Sequence, residues 1–193
     1  MASPQQSQIF DIDLDELTAI RHSVGATEKE MRLAYNRALA RTAVTVHKLA
    51  AKLMRDELQA KNLKLIRARL KKFRLKKGGK ALDELKLWFG LNPVPVHALR
   101  GRLRSTKDSG ATFTPTSPRL SRVHEARGFV IEKNGQKMMF RRTSAKRYET
   151  VQVEIDDALH VRIEDEIFEQ IPEIFVRHFT TDIKGRIALR PKK

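Results

Sequence analysis

The chain has 193 residues, 40% of them apolar, enough for one domain with a real core and too many for a largely disordered polymer. It has no cysteine, which excludes disulfides, thiolate catalysis and cysteine-ligated zinc. Thirty-nine basic against twenty-three acidic residues leave a net charge of +16, a balance that suits contact with nucleic acid or an acidic protein surface.

That charge is unevenly spread. Met1 to Glu30 carries two basic and six acidic residues, Met31 to Lys80 sixteen and two, and Ala81 to Thr150 fourteen and six; Val151 to Lys193 turns slightly acidic again. Met1 to Gln8 lacks both the basic and the apolar part of a secretory signal, and no run of apolar residues is long enough to span a membrane. A protein made and used in the cytosol is expected, with no membrane partner.

Residues 1–26 form an acidic opening. Asp11, Asp13, Asp15 and Glu16 sit in DIDLDE, which lacks the sixth-position glycine and the later bidentate glutamate of a calcium loop. A helix start or a short strand is the better reading. Thr27 followed by Glu30 is a capping box, and the helix it opens should run to about Leu58. At 100° per residue, Met31, Tyr35, Ala38, Thr42, Val46, Leu49 and Leu53 share one face, with Arg37, Arg41, Lys48, Lys52 and Arg55 on its flank. Leu63 to Lys80 continues in helical spacing, with Leu63, Ile66, Leu70 and Phe73 on one face. Its nine basic residues, Lys71, Lys72, Lys76 and Lys77 among them, meet no acidic one. Such a helix needs a docked apolar face or an anionic partner to offset its self-repulsion. Residues 27–80 are therefore expected to be basic helices, with Gly78-Gly79 as an end or a hinge.

From residue 84 the period shortens to two. Leu85, Leu87 and Phe89 predict a strand, and the two prolines of Asn92 to Val96 an edge or extended connector. Gly101 to Gly128 has few apolar anchors besides Phe113 and Leu120 and reads as a long loop, with at most a short strand near Ala111 to Thr114. Arg100, Arg102 and Arg104 stand at its entrance. Phe129-Val130-Ile131 and Met138-Met139-Phe140 flank Asn134-Gly135, a pair that accepts the positive φ angles of a type I′ turn and so predicts a hairpin. Alternation from Thr150 to Ile155 adds a third strand. Residues 156–190 return to helical spacing, with Ile163, Ile167 and Ile171 on one face, a break at Pro172, then Phe175, Phe179, Ile183 and Ile187.

These elements predict a single α+β domain over residues 1–193. An antiparallel sheet of three to four strands would carry a long N-terminal helix and kinked C-terminal helices on one face.

Chemistry-bearing motifs are missing from the sequence. The six histidines are scattered without HExxH or other metal spacing, and no Walker loop, dinucleotide fingerprint or GxSxG elbow is present. No catalytic residue, metal or cofactor is assigned. Zinc-finger, RNP and helix-turn-helix patterns are equally absent, so any nucleic-acid contact would be electrostatic and blind to sequence. Its candidates are Arg37, Arg41, Lys48, Lys52, Lys71, Lys72, Lys76 and Lys77.

The order of features resembles the minor tail protein Z family of lambda-like phages. The resemblance rests on Asn36-Arg37-Ala38 in a long Ala-rich helix, the basic tract Arg55 to Lys77, the strand leading into Phe140-Arg141-Arg142-Thr143-Ser144-Ala145-Lys146-Arg147, and a terminal helix from Ile171-Pro172-Glu173 to Leu189. It covers nearly the whole chain, and it departs where Tyr148-Glu149-Thr150-Val151 stands in place of the Pro and Gly-Pro elements frequent in that family. The resemblance implies a non-enzymatic virion protein assembled in the host bacterial cytoplasm. It would complete the head-proximal end of the tail for head–tail joining, as a six-fold homo-oligomeric ring beside tail or neck proteins, with non-specific contact to genomic DNA. Asp11, Asp13, Asp15 and Glu16 are candidates for its subunit interface, attracted by the basic middle of a neighbour. A basic, sequence-independent nucleic-acid-binding protein without a virion role is the alternative.

Overall fold

The computed structural model describes residues 7–9, 12–61, 64, 66, 70–75, 82, 84–89 and 92–191, with the backbone alone for 7–9, 70–75, 84–89 and 160. The class is α+β, and every strand pairing is antiparallel. The strands are distributed over four small sheets of two or three strands each. By its contacts the chain divides into two compact units, Met1–Ala50 with Leu70–Phe89 and Ile163–Lys193, and Ala51–Arg69 with Gly90–Arg162.

The first unit begins with β1 (Ser7–Ile9) and helix α1 (Leu14–Ser23). Asp13 caps α1, its Oδ1 accepting from the amides of Asp15 and Glu16 at 2.9 and 3.2 Å, so the motif is a helix start from Asp13 onward. Gly25, at φ 62°, ends it in a left-handed turn, with the amide of Ala26 donating to Arg21 O and that of Gly25 to His22 O. Helix α2 (Glu28–Leu58) opens two residues later on the expected capping box. The Thr27 amide donates to Glu30 Oε2 at 2.7 Å and the Glu30 amide returns to Thr27 Oγ1 at 3.3 Å.

Tyr35, Ala38, Thr42 and Val46 are buried as the stripe requires. The buried strip is nevertheless centred further round, through Ala34, Leu39, Ala43 and Ala50, which leaves Met31 and Leu49 half-exposed. Helix α4 (Ile171–Ala188) runs antiparallel along α2. Phe175 meets Tyr35 edge-on at 5.2 Å, His178 Nε2 lies 3.2 Å from Thr45 Oγ1, and Asp182 pairs with Arg37. Small buried residues on α2 and the fully buried Phe175, Phe179 and Ile183 on α4 set small side chains against large ones, as close packing requires. Pro172 occupies the first turn of α4, where its missing amide hydrogen costs nothing; the helix starts there instead of bending.

The sheet of this unit corrects the second basic helix expected over Leu63 to Lys80. Among the described residues of that stretch Lys64 and Ile66 are helical, whereas Leu70–Leu75 is a strand, β2, paired along its whole length with β3 (Glu84–Phe89), from Leu70 opposite Phe89 to Leu75 opposite Glu84. β1 adds to the other edge of β3. An extended chain advances about 3.3 Å per residue against about 1.5 Å in a helix, so it spreads like charges apart, and β2, at the edge of the β1–β3–β2 sheet, pairs its inner side with β3.

In the second unit α2 ends as Gln59 turns left-handed, at φ 52°, and the Ala60 amide reaches back to Arg55 O at 3.0 Å. The prolines of 92–96 give β4 (Val94–Pro95) and a 3₁₀ turn (Val96–Ala98). The expected long loop over Gly101 to Gly128 is a three-stranded sheet instead: β5 (Gly101–Thr106), β6 (Gly110–Pro115) and β7 (Val123–Glu125). Only the short strand near Ala111 to Thr114 belonged to the sequence reading.

The hairpin stands as expected. β8 (Gly128–Lys133) and β9 (Gln136–Arg142) pair from Gly128 opposite Arg141 to Lys133 opposite Gln136, and Asn134 and Gly135 take φ 51° and 71°. The strand expected over Thr150 to Ile155 is divided between two sheets. β10 (Tyr148–Thr150) joins β9, whereas β11 (Gln152–Val153) joins β4. Val151 is the switch, its amide donating to Met139 O and its carbonyl accepting from Val96 N. Val94, Val96, Leu99, Phe113, Met139 and Val151 are buried in this unit. Helix α3 (Asp157–Ile163) follows, then a π-helical turn (Glu164–Phe168) back in the first unit.

Candidate functional site

The cations expected on α2 are in part committed internally. Arg37, Arg41, Lys48 and Lys52 are all exposed, but Arg37 Nε lies 3.4 Å from Oδ1 of Asp182, a carboxylate only 7% exposed. Arg186 Nε holds the other oxygen of Asp182 at 2.6 Å. Lys71 and Lys72 lie on β2, opposite Trp88 and Leu87, and Lys76 and Lys77 lie outside the described residues. Among the described residues the basic tract is therefore not one helical lysine face. At the N-terminus Asp13 is a helix cap, Asp15 and Glu16 are exposed in the first turn, and Asp11 lies outside the described residues.

The histidines divide by environment. Burial, and then the charge of Lys61, lowers the His97 imidazole below its ordinary value; His178 is lowered by burial and by Arg177 and Arg41. Both stay neutral near neutral pH, as packing histidines do. Among the described residues no three His, Asp or Glu converge as a metal site would require.

The second unit presents a different arrangement on β5, β6 and β7. Side chains alternate across a strand, and register puts Arg102 opposite Thr114, Arg104 opposite Thr112, and Thr112 opposite His124. Arg122 precedes β7 by one residue and so comes level with Thr114. The other face carries Leu103, Ala111, Phe113 and Val123, with Ala111 and Phe113 buried. One face of this sheet builds the core and the other is wholly polar.

The polar face is concave. An open depression of about 570 Å³ is lined by Arg102, Arg104, Arg122, Thr112 and Thr114, with Ser109 and Gly110 at its end. Gly110 is obligatory there: its φ is 74°, and a Cβ would stand 2.2 Å from the carbonyl oxygen of Glu125. Arg102, Arg104 and Arg122 are exposed, and their guanidinium groups form no ion pair or hydrogen bond among the described residues. Other arginines of this unit behave differently. Arg119 and Arg162 share the Glu57 carboxylate at 3.1 and 2.6 Å, and Arg141 spans Glu125 and Glu149. Glu125 itself points away from the concave face, because it stands opposite Ala111 in the register.

A second surface group is aromatic. Phe129 stacks on Phe140 at 5.9 Å, Tyr148 meets both edge-on at 5.8 and 5.2 Å, and the Arg142 guanidinium lies 5.1 Å above the Phe129 ring. These rings turn their faces and edges to one another, so the cluster locks β8, β9 and β10 together. Tyr148 is its one largely exposed member.

Arg102 and Arg104 are legible in the sequence as cations at a loop entrance, with Arg100, part of an electrostatic surface for phosphates. Arg122 and Thr114 were missed. The readable signal was the period of two in Arg102-Leu103-Arg104 and Thr112-Phe113-Thr114, hidden because its polar half is Arg and Thr and its apolar half is short. No protein-family model matches the chain, and no curated protein or solved structure matches it either.

Proposed function

We propose that this chain is a non-enzymatic structural protein of a bacteriophage tail, of the tail-completion kind. It acts at the head-proximal end, beside tail or neck proteins, as a homo-oligomeric ring assembled in the host cytoplasm. The observation that carries this reading is the order of features over nearly the whole chain. Asn36-Arg37-Ala38 stands on the Ala-rich α2, β9 leads through the Arg-rich turn at residues 140–147 into β10, and the terminal helix opens at Pro172. An antibody raised against the purified chain should decorate the head-proximal end of tails from the source phage. Removing the gene should leave separate heads and tails. Infectious virions assembled without the chain would overturn the reading.

A second reading, a sequence-independent nucleic-acid-binding protein without a virion role, is favoured by one observation, the unpaired arginines of the β5–β7 face. Duplex binding that falls steeply with salt, together with virions that assemble normally in its absence, would select it. Contact with nucleic acid is common to both readings.

A further inference from the structure

We infer that the polar face of the β5–β6–β7 sheet is a phosphodiester-binding site, through which this protein holds the backbone of nucleic acid. The inference rests on the nucleic-acid contact named above and gives it an address different from the basic flank of α2. Three observations carry it. Arg102, Arg104 and Arg122 converge on one depression with no carboxylate among its lining residues. All three are exposed and unpaired among the described residues, so a phosphate would displace water and not an internal partner. The face is anchored from behind by the buried Phe113 and Ala111, which keeps Arg102 and Arg104 on a sheet, with Arg122 one residue before its third strand.

The chemistry selects the ligand. Guanidinium is a planar fork of donors that matches phosphate oxygens in pairs and is always charged. Arg102 and Arg104 are two residues apart, about 6.8 Å along the strand, far enough to take separate phosphates. Arg122 adds a third from across the sheet, and the exposed Thr114 hydroxyl can donate between them. An open concave surface suits a continuous backbone better than a small ligand, which needs enclosure for affinity. No aromatic ring lines the depression, so bases are not stacked there and binding is blind to sequence.

The test uses the full chain and a fluorescent mixed-sequence DNA duplex, with anisotropy read between about 50 and 200 mM salt. R102Q/R104Q/R122Q should weaken binding most at the lowest salt, by more than about tenfold, and flatten the log–log salt slope by about 2.7, the release expected for three phosphates. R102K/R104K/R122K should keep the slope and recover only part of the affinity, because lysine retains charge without the fork. R41Q/K48Q/K52Q on α2 is the comparison. A wild-type chain with no duplex affinity at the lowest salt would sink the nucleic-acid reading and this site together. A wild type that binds, with R102Q/R104Q/R122Q unchanged and the α2 variant impaired, would overturn the site alone. Polyglutamate displacing the duplex as well as unlabelled DNA does would also overturn it, and would mark the face as a contact for an acidic protein. If the triple variant loses its melting transition, R102Q, R104Q and R122Q singly should each lower the slope by about 0.9; no change in any of them rejects the site.

Discussion

The Glu30 carboxylate joins the start of α2 to the end of the chain. It accepts from the amide and hydroxyl of Thr27 and from Arg190, whose Nε lies 2.9 Å from its second oxygen. The Arg190 hydrogen bond, followed by those of Thr27, lowers the Glu30 carboxyl from 4.5 to about 2, and Arg190 is raised in turn. A depressed native value means that the unfolded chain binds more protons, so this contribution is complete above pH 4.5 and is lost as pH falls towards 2. E30Q should therefore lower stability at neutral pH and flatten the pH dependence of denaturant unfolding within that window. A pH profile parallel to wild type would show that the pair contributes nothing. Thr27→Ala should cost about 1 kcal/mol through the lost cap. The two positive-φ glycines of the sheets separate conformation from space. Gly135 has nothing within 4 Å of its absent Cβ, whereas Gly110 faces the Glu125 and Ala126 carbonyl oxygens at 2.2 and 2.5 Å. Gly135→Asn should be tolerated and Gly135→Val should cost about 1–3 kcal/mol, a conformational cost alone. Gly110→Ala should exceed Gly135→Ala in thermal melts, because backbone must move to admit the methyl group. Equal losses would remove the close-approach argument.

At the scale of elements, stability comes from faces that meet. Phe175 is fully buried and touches Tyr35 and Phe179. Truncating it should leave a cavity between α2 and α4 and cost about 3–5 kcal/mol in chemical denaturation. Tyr148→Ala should cost less, about 0.5–1.5 kcal/mol beyond its modest burial, because Tyr148 is half exposed and contributes edge contacts to Phe129 and Phe140. The legible elements were those with local signals. The Thr27–Glu30 box, the 31-residue α2 and the Asn134-Gly135 turn each carry their own start or turn chemistry within a few residues. β2 was misread as helix because Leu63, Ile66, Leu70 and Phe73 keep helical spacing, and its partner β3 lies beyond a Gly-Gly break. The β5–β7 sheet was misread as a loop for a related reason. Its pairings are what make Ser, Thr and Arg residues strand residues, and pairing is not written in composition.

For the whole molecule the net charge of +16 is a property of surfaces, and the structure separates cations that are engaged from cations that are free. Arg37, Arg119, Arg141 and Arg190 each meet a carboxylate; Arg102, Arg104 and Arg122 do not, among the described residues. The ring proposed for the tail needs two different complementary surfaces to close head to tail. Asp15 and Glu16 are exposed and fit one of them electrostatically, whereas Asp13 already caps α1. D15N/E16Q should therefore slow or salt-sensitise ring formation while leaving the thermal melt of the subunit intact. D13N, with a side chain that still caps, should leave the helix in place. Mass measurement of isolated chain and of tails checks both; rings unaffected by D15N/E16Q would remove the electrostatic part, and tails without a stoichiometric ring would remove the ring itself.

The sequence by itself determined the class, the capped start and approximate end of α2, the hairpin turn and the break at Pro172. Each of these depends on a residue's own conformational preference or on neighbours three or four positions away. Tertiary structure alone decided that β2 is extended, that Thr150 and Gln152 serve different sheets, and that three arginines from two separated stretches look into one depression. The physical reason is the range of the interaction. A cap or a turn is settled by local backbone geometry, whereas a strand and a charged face exist only once a partner distant in sequence has arrived to pair with the one and define the other.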